Sequence, residues 1–420
     1  MARLILTNAH LIPGDGPGRT GMTITVKDDR IEKVSDGPAD AGPDDRVVDL
    51  DGRSVMPGMI TCHHHAGYHQ IGKKPLVVGF EAPPAFLALA GGRSMKLLIE
   101  AGYTGAVGAG NGFAMDASLK MAIEEGMIPG PRLVPCGRGI SATGFSLDHQ
   151  QPWYWHAPFI DVKTADGADG FRKAVREEIR EGAEMIKLYS TGGHLSVTPG
   201  GQMEITREEL AAAIQAAHAH GARIRTHASC AQATLEAIEA GIDIVDHADF
   251  LDEAGIEAFV KSGVFFVPSL RLATESKKHG FSQGTPGEME AEMEHMRHMV
   301  PLANKAGVRM VLGDDYGIVI MDHGSQSEEP AFYVNEIGIP ALDVIRWATI
   351  NGAELMGRGH ELGTVEGGKL ADLLVVDGNP LEKMDLLTDK SNLLAIIKGG
   401  EFVKDELSRI PATERQRAMA

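Results

Sequence analysis

Between residues 58 and 315 the chain alternates short apolar runs with longer amphipathic stretches, and this rhythm limits the fold more than any single motif. The runs are GMITCHHH, TGAVGAG, RLVPCG, MIKLYST, RIRTHAS, DIVDHAD, VFFVPSL and RMVLGDD. Apolar runs of this length read as buried strands, and the pieces between them read as helices. TREELAAAIQAAHAHG opens with Thr206 three residues before Glu209, a capping-box spacing, and stops at Gly221. AQATLEAIEAG and DEAGIEAFVKSG follow the same scheme, each closing on Gly just before the next run. Eight strand–helix units over about 300 residues predict an α/β protein built as a (β/α)8 TIM barrel. An open doubly wound sheet would show fewer strands and a Gly-rich nucleotide loop, and no GxGxxG follows the first run.

The chain ends have a different grain. Residues 2–56 are short alternating segments punctuated by Gly, Pro and Asp, and LADLLVVDG and LLAIIKGGEFVKD repeat that pattern near the other end. Two half-sheets so far apart in sequence predict one small β-sandwich assembled from both termini. The expected division is residues 1–57 and 359–405 for the sandwich halves, 58–358 for the barrel, and a polar tail over 406–420.

Composition narrows the partners. A formal net charge of −18, with no compensating Lys/Arg-rich run, disfavours nucleic acid and anionic lipid. The first residues reach Asn8 and His10 too early for a secretory apolar stretch, and no window supplies 18 uninterrupted apolar residues. A cytoplasmic protein without a membrane partner is expected. Cys62, Cys136 and Cys230 lie far apart, so reduced packing thiols are expected rather than a disulfide framework.

Chemistry concentrates at the strand ends. His63 and His65, two residues apart in GMITCHHH, share one face of a strand while His64 points the other way. His227 closes the fifth run, His247 the sixth and Asp315 the eighth, each near the C-terminal end where barrel active sites are built. Lys187 stands in the fourth run between Ile186 and Leu188, too apolar a place for an unpaired ammonium. Taken singly, each has a plainer reading: a strand histidine bonds a carbonyl, a barrel lysine pairs with a carboxylate, and an aspartate marks a turn.

Taken together, the motifs resemble the amidohydrolase superfamily, in its binuclear branch with a carboxylated lysine. The likeness runs through VMPGMITCHHH, MIKLYSTGG, THASC, IVDHADF and VLGDDYG to TINGAELMGRGHELGTVEGGKLADLLVVDGNP. The resemblance implies two divalent ions, zinc by preference. His63, His65 and Asp315 would hold the more buried ion, His227 and His247 the more exposed one, and a CO2-derived carbamate on Lys187 would bridge them. It further implies a metal-bridging hydroxide as nucleophile and Asp315 as the general base that returns its proton to the leaving amine. Asp314 precedes Asp315 where the family carries a small or hydroxyl residue; the Gly-x-Asp pattern and the one-face rule favour Asp315.

Within the superfamily the wording resembles imidazolonepropionase-like and Xaa-Pro dipeptidase-like members, a branch that also holds zinc carboxypeptidases and ochratoxin-type amidases. Lys187 speaks against imidazolonepropionase proper. The resemblance implies hydrolysis of an amide C–N bond in an N-acyl amino acid, dipeptide or aryl amide. The same centre would also serve ureas, carbamates, lactones or phosphotriesters, and a metal-free binding relative is the non-enzymatic alternative. Ser229 replaces the aromatic that many peptidase-like relatives carry two residues after the fifth-strand histidine. His149, Trp153 and Tyr154, in a segment where this chain departs from its relatives, either line a broad apolar pocket or anchor their loop. His323, in MDHGSQ, is read equally as a substrate contact or a loop histidine. Relatives of this kind tend to assemble, so a homo-oligomer is expected.

Overall fold

The computed structural model describes residues 2–38, 40–73, 82–145, 148, 161–193, 198–280 and 288–410. The chain groups into two compact units. One comprises Met1–Ile60, Leu97–Gly105 and Gly324–Ala420, and the other Thr61–Lys96 and Ala106–His323. The stretch from 324 to 358, predicted within the barrel, therefore groups with the chain ends.

In the first unit the termini meet in one sheet. Its strands are β1 (Leu4–Leu11), β2 (Arg19–Lys27), β3 (Arg30–Asp36), β4 (Arg46–Asp49) and β5 (Ser54–Pro57). From the far end of the sequence come β16 (Leu373–Val376), β17 (Leu393–Lys398) and β18 (Glu401–Asp405). The order is β18-β17-β16-β5-β1-β2-β3, with β4 pairing to β1. The join is the antiparallel pair β5–β16, where Val375 faces Val55 and Leu373 faces Pro57. Strand pairing thus joins both chain ends in a single eight-stranded sheet. Neighbouring β1 makes this possible, because it pairs with β2 over most of its length and with β4 at Leu4–Thr7 and β5 at His10–Leu11. The apolar strand β16 is buried at all four positions, whereas β18, at one end of the order, has no fully buried residue. Leu6, Leu11, Ile24, Val55, Leu373 and Ile397 form the centre of its aliphatic core.

The eight runs predicted as strands between 58 and 315 all contain strand. The first two carry β6 (Met59–His64) and β7 (Tyr103–Gly108), and the third carries both β8 (Arg132–Val134) and β9 (Cys136–Ser141). The remaining five carry β11 (Met185–Tyr189), β12 (Arg223–Ala228), β13 (Ile244–His247), β14 (Phe265–Val267) and β15 (Arg309–Met310). A further strand, β10 (Val162–Thr164), had no predicted counterpart. Pairing differs from the single closed ring expected. A seven-stranded sheet, β10-β9-β11-β12-β13-β14-β15, is parallel throughout, and β6-β7-β8 is separate. Between β15 and β6, and between β7 and β9, the described residues form no continuous ladder. Single backbone bonds stand there instead, Cys62 N–H to Leu312 O at 2.6 Å and Asn111 N–H to Gly137 O at 3.1 Å.

Helices follow the strands as the sequence punctuation predicts. They are α1 (Pro84–Glu100), α2 (Met115–Glu124), α3 (Gly167–Arg180), α4 (Arg207–Ala219), α5 (Ala231–Ala240), α6 (Glu253–Ser262), α7 (Leu270–His279) and α8 (Glu288–Ala306). The capping box of α4 is formed, Thr206 accepting from the Glu209 amide while the Glu209 carboxylate accepts from the Thr206 amide. No helix among the described residues is long and apolar enough to cross a membrane.

Candidate metal centre

Strand β6 sets the first two imidazoles. Alternation places His64 on the far side, where its Nε2 lies 3.1 Å from the Ser94 hydroxyl of α1, while His63 and His65 turn inward together. Asp315 arrives from the extended segment after β15. Among the described residues, His63, His65 and Asp315 form a buried trio whose possible ligand atoms all lie within 4.8 Å of one another. The Asp315 Oδ1 is 3.0 Å from His63 Nε2 and 3.1 Å from His65 Nε2, and the two Nε2 atoms are 3.2 Å apart. Gly313 lets the aspartate segment come this close: its φ is +153°, and an added Cβ would meet the His63 backbone nitrogen at 2.3 Å.

The donor chemistry of this trio fits a cation. His65 Nδ1 is 2.7 Å from the Gly110 carbonyl, so that nitrogen carries the ring proton and Nε2 offers a lone pair. Burial lowers the His65 pKa against the opposing pull of Asp315 and keeps the ring neutral. Burial also works against ionising Asp315, but His63, whose Nε2 lies 3.0 Å away, outweighs it and holds the carboxyl well below its usual range. A neutral imidazole lone pair and a carboxylate oxygen face each other at 3.1 Å, two acceptors away from water, and a divalent ion satisfies such a pair.

His227 and His247 stand beside the trio but outside it. Their ring centroids are 4.5 Å apart, and His247 is 5.3 Å from the His63 ring. His227 Nε2 donates to the Gly192 carbonyl at 2.8 Å, which leaves Nδ1 as its lone-pair nitrogen. His247 ends β13 with a φ of +73°, a left-handed conformation costly for a side chain bearing a Cβ and typical of functional positions. Lys187 is buried, and its Nζ donates to Asp246 Oδ2 at 2.6 Å. Burial lowers its pKa although the Asp246 charge opposes the shift.

The other predicted residues fall in several places. The Ser229 Oγ is 3.3 Å from His227 Nε2 and donates to the Gly192 carbonyl at 3.4 Å. His323 Nε2 is 3.1 Å from the Tyr68 carbonyl, its ring 5.0 Å from His64, and burial pushes its pKa down to about 4. The Asp314 side chain turns from the trio to the start of α7, accepting from the Leu272 amide at 3.1 Å and the Asp315 amide at 2.8 Å. Burial raises its pKa to about 6. His149, Trp153 and Tyr154 lie outside the described residues.

Sequence reading missed two buried charges. Arg225, on β12, and Asp246, on β13, are both wholly buried and paired to each other. Their signal was present: RIRTHA and DIVDHAD each place a charge within an apolar strand, next to or two residues before a candidate ligand.

An amidohydrolase family model matches residues 54–403. Ochratoxinase of Aspergillus niger is 26% identical over an alignment covering 94% of this chain and 85% of that protein. Among solved structures, a prolidase complexed with N-methylphosphonate-L-proline is 28% identical with a TM-score of 0.87, covering 96% of this chain and all of that one. A Xaa-Pro dipeptidase with bound methionine is 26% identical with a TM-score of 0.86, again covering 96% of this chain. A family match over most of the length, carried by a fold that gathers His63, His65 and Asp315 at the strand ends, makes this chain a member of the amidohydrolase family, hydrolases of carbon–nitrogen bonds.

Proposed function

We propose that this protein is a metal-dependent amidohydrolase cleaving the C–N bond of a small amide: an N-acyl amino acid, a dipeptide or an aryl amide. The observation that carries the reading is the buried trio of His63, His65 and Asp315, whose possible ligand atoms converge with no donor hydrogen from His65 Nε2 between them. His63, His65 and Asp315 would hold one ion and His227 and His247 a second. Lys187, as its CO2-derived carbamate, would contribute an anionic oxygen to both. Divalent ions, zinc by preference, supply Lewis acidity and bring the pKa of water from about 16 toward about 7.

The chain's own groups do the rest. Held ionised beside His63, the Asp315 carboxylate accepts the proton as water adds to the carbonyl and hands it to the leaving nitrogen. His65 is fixed for its part by the Gly110 carbonyl, and His227 by the Gly192 carbonyl. Relatives named as a prolidase, a Xaa-Pro dipeptidase and an ochratoxinase support an amide substrate.

The test joins metal analysis with matched panels of amides, esters and phosphotriesters. Bound divalent metal and turnover confined to amides are expected; turnover of esters or phosphotriesters alone would overturn the substrate class. Lys187→Ala is expected to lose metal and activity and to regain part of both in added short carboxylates. Full metal content and rate in that variant would rule out a bridging lysine.

A further inference from the structure

Arg225 is a wholly buried guanidinium with every donor engaged. Nη1 donates to the Cys62 carbonyl of β6 at 2.8 Å and to the Gly108 carbonyl of β7 at 2.9 Å. Nε donates to Asp246 Oδ2 at 2.9 Å, and Nη2 donates both to Asp246 Oδ1 and to His63 Nδ1, the latter at 3.0 Å. Asp246 Oδ2 also accepts from Lys187, and its Oδ1 lies 3.4 Å from His63 Nδ1. The Nδ1 of His63 therefore has both a cation that can only donate and a carboxylate that can only accept within reach.

That double environment bears on the other nitrogen of the ring. While Nδ1 accepts from Arg225, the single proton of a neutral imidazole sits on Nε2 and points at Asp315, 3.0 Å away. A metal at Nε2 displaces that proton. The ring then carries its hydrogen on Nδ1, where a guanidinium offers no acceptor and Asp246 Oδ1 does. We propose that Asp246, held in place by Arg225, is a positioning residue that receives the His63 Nδ1 hydrogen when metal binds, so that the pair serves both tautomers and sets metal affinity. The proposal rests on the metal-centre reading above. It gives a reason for two buried charges to persist where an apolar pair would fill the space at no desolvation cost.

Asp246→Asn removes the charge and one acceptor without changing size. The apparent Kd for zinc, measured by chelator competition, is expected to rise on the order of 10–100-fold, with turnover recovered as zinc approaches saturation. An unchanged Kd in a folded variant would overturn the proposal. Histidine-ring 15N spectra of the wild-type protein give a second reading that needs no variant, with the His63 ring assigned through bonds to its own Cβ. The proton is expected on Nε2 in chelated protein and on Nδ1 in zinc-loaded protein; a bare Nδ1 in the zinc-loaded protein would overturn the proposal even if Asp246→Asn failed to fold. If the wild type took up no zinc, the metal-centre reading itself would fail, an outcome distinct from a wild type and variant that bind zinc equally.

Discussion

The sheet built from the chain ends and the parallel strands of the second unit are both buried, yet they bury different chemistry. In the former, Leu6, Leu11, Ile24, Val55, Leu373 and Ile397 pack as aliphatic neighbours whose contribution is area removed from water. In the latter, Lys187, Arg225, Asp246, Asp315, His63 and His65 are buried too, and each must find a charged or hydrogen-bonding partner to remain so. An aliphatic core tolerates small losses in proportion to volume. A buried charge network fails at the partner left behind. The contrast predicts that substitutions in the terminal sheet change stability without changing chemistry, and that substitutions at the parallel strand ends change chemistry first.

The largest effect is expected from Asp315→Asn. Removing the proposed proton carrier should lower kcat/KM by about 10²–10⁴-fold. A loss below tenfold, with metal content measured on the same preparation, would break the assignment and the contrast with it. Leu373→Ala, deep in β16, sharpens the other side. It is expected to cost about 2–5 kcal/mol of unfolding free energy, read from denaturant titration, while metal per folded chain is unchanged.

A buried acid that touches no candidate ligand tests whether charge in the second unit also carries a stability cost. Burial pushes the Asp116 pKa from 3.8 to about 7, although the Cys136 amide and the Asn111 amide group both donate to it. A carboxyl with a raised folded pKa stabilises fully below its unfolded value, and that stability is lost as pH rises through the folded one. The denaturation midpoint should therefore fall between about pH 4 and about pH 7 through this group, and Asp116→Asn should flatten that slope. An identical slope in the variant would remove Asp116 as its source. Smallest is Thr206→Ala, which breaks the α4 capping box at a cost of about 1 kcal/mol and should leave activity untouched.

Several features are legible in the sequence alone. His63 and His65 turn to one side and His64 to the other because a strand alternates, and no tertiary information is needed for that. Thr206 and Glu209 cap α4 through a contact only three residues long. Arg225 and Asp246 were harder to read. A charged letter in a short apolar strand looks like an exposed edge position until the partner strand is known, and here each is the other's partner across β12 and β13. How the eight strands pair was not legible either: the ladders form two separate sheets, and single backbone bonds stand at the junctions between them.

By itself, then, the sequence determined the order of strands and helices, the helix caps and the faces of His63, His64 and His65, since each follows from spacings of a few residues. The tertiary structure decided that the chain ends pair through β5 and β16 as one sheet, and that Asp314 turns to α7 while Asp315 meets the histidines. It also decided that Lys187, Arg225 and His63 converge on Asp246. Those contacts join residues separated by 21 to 322 positions, and such distances are closed only when the whole chain has packed.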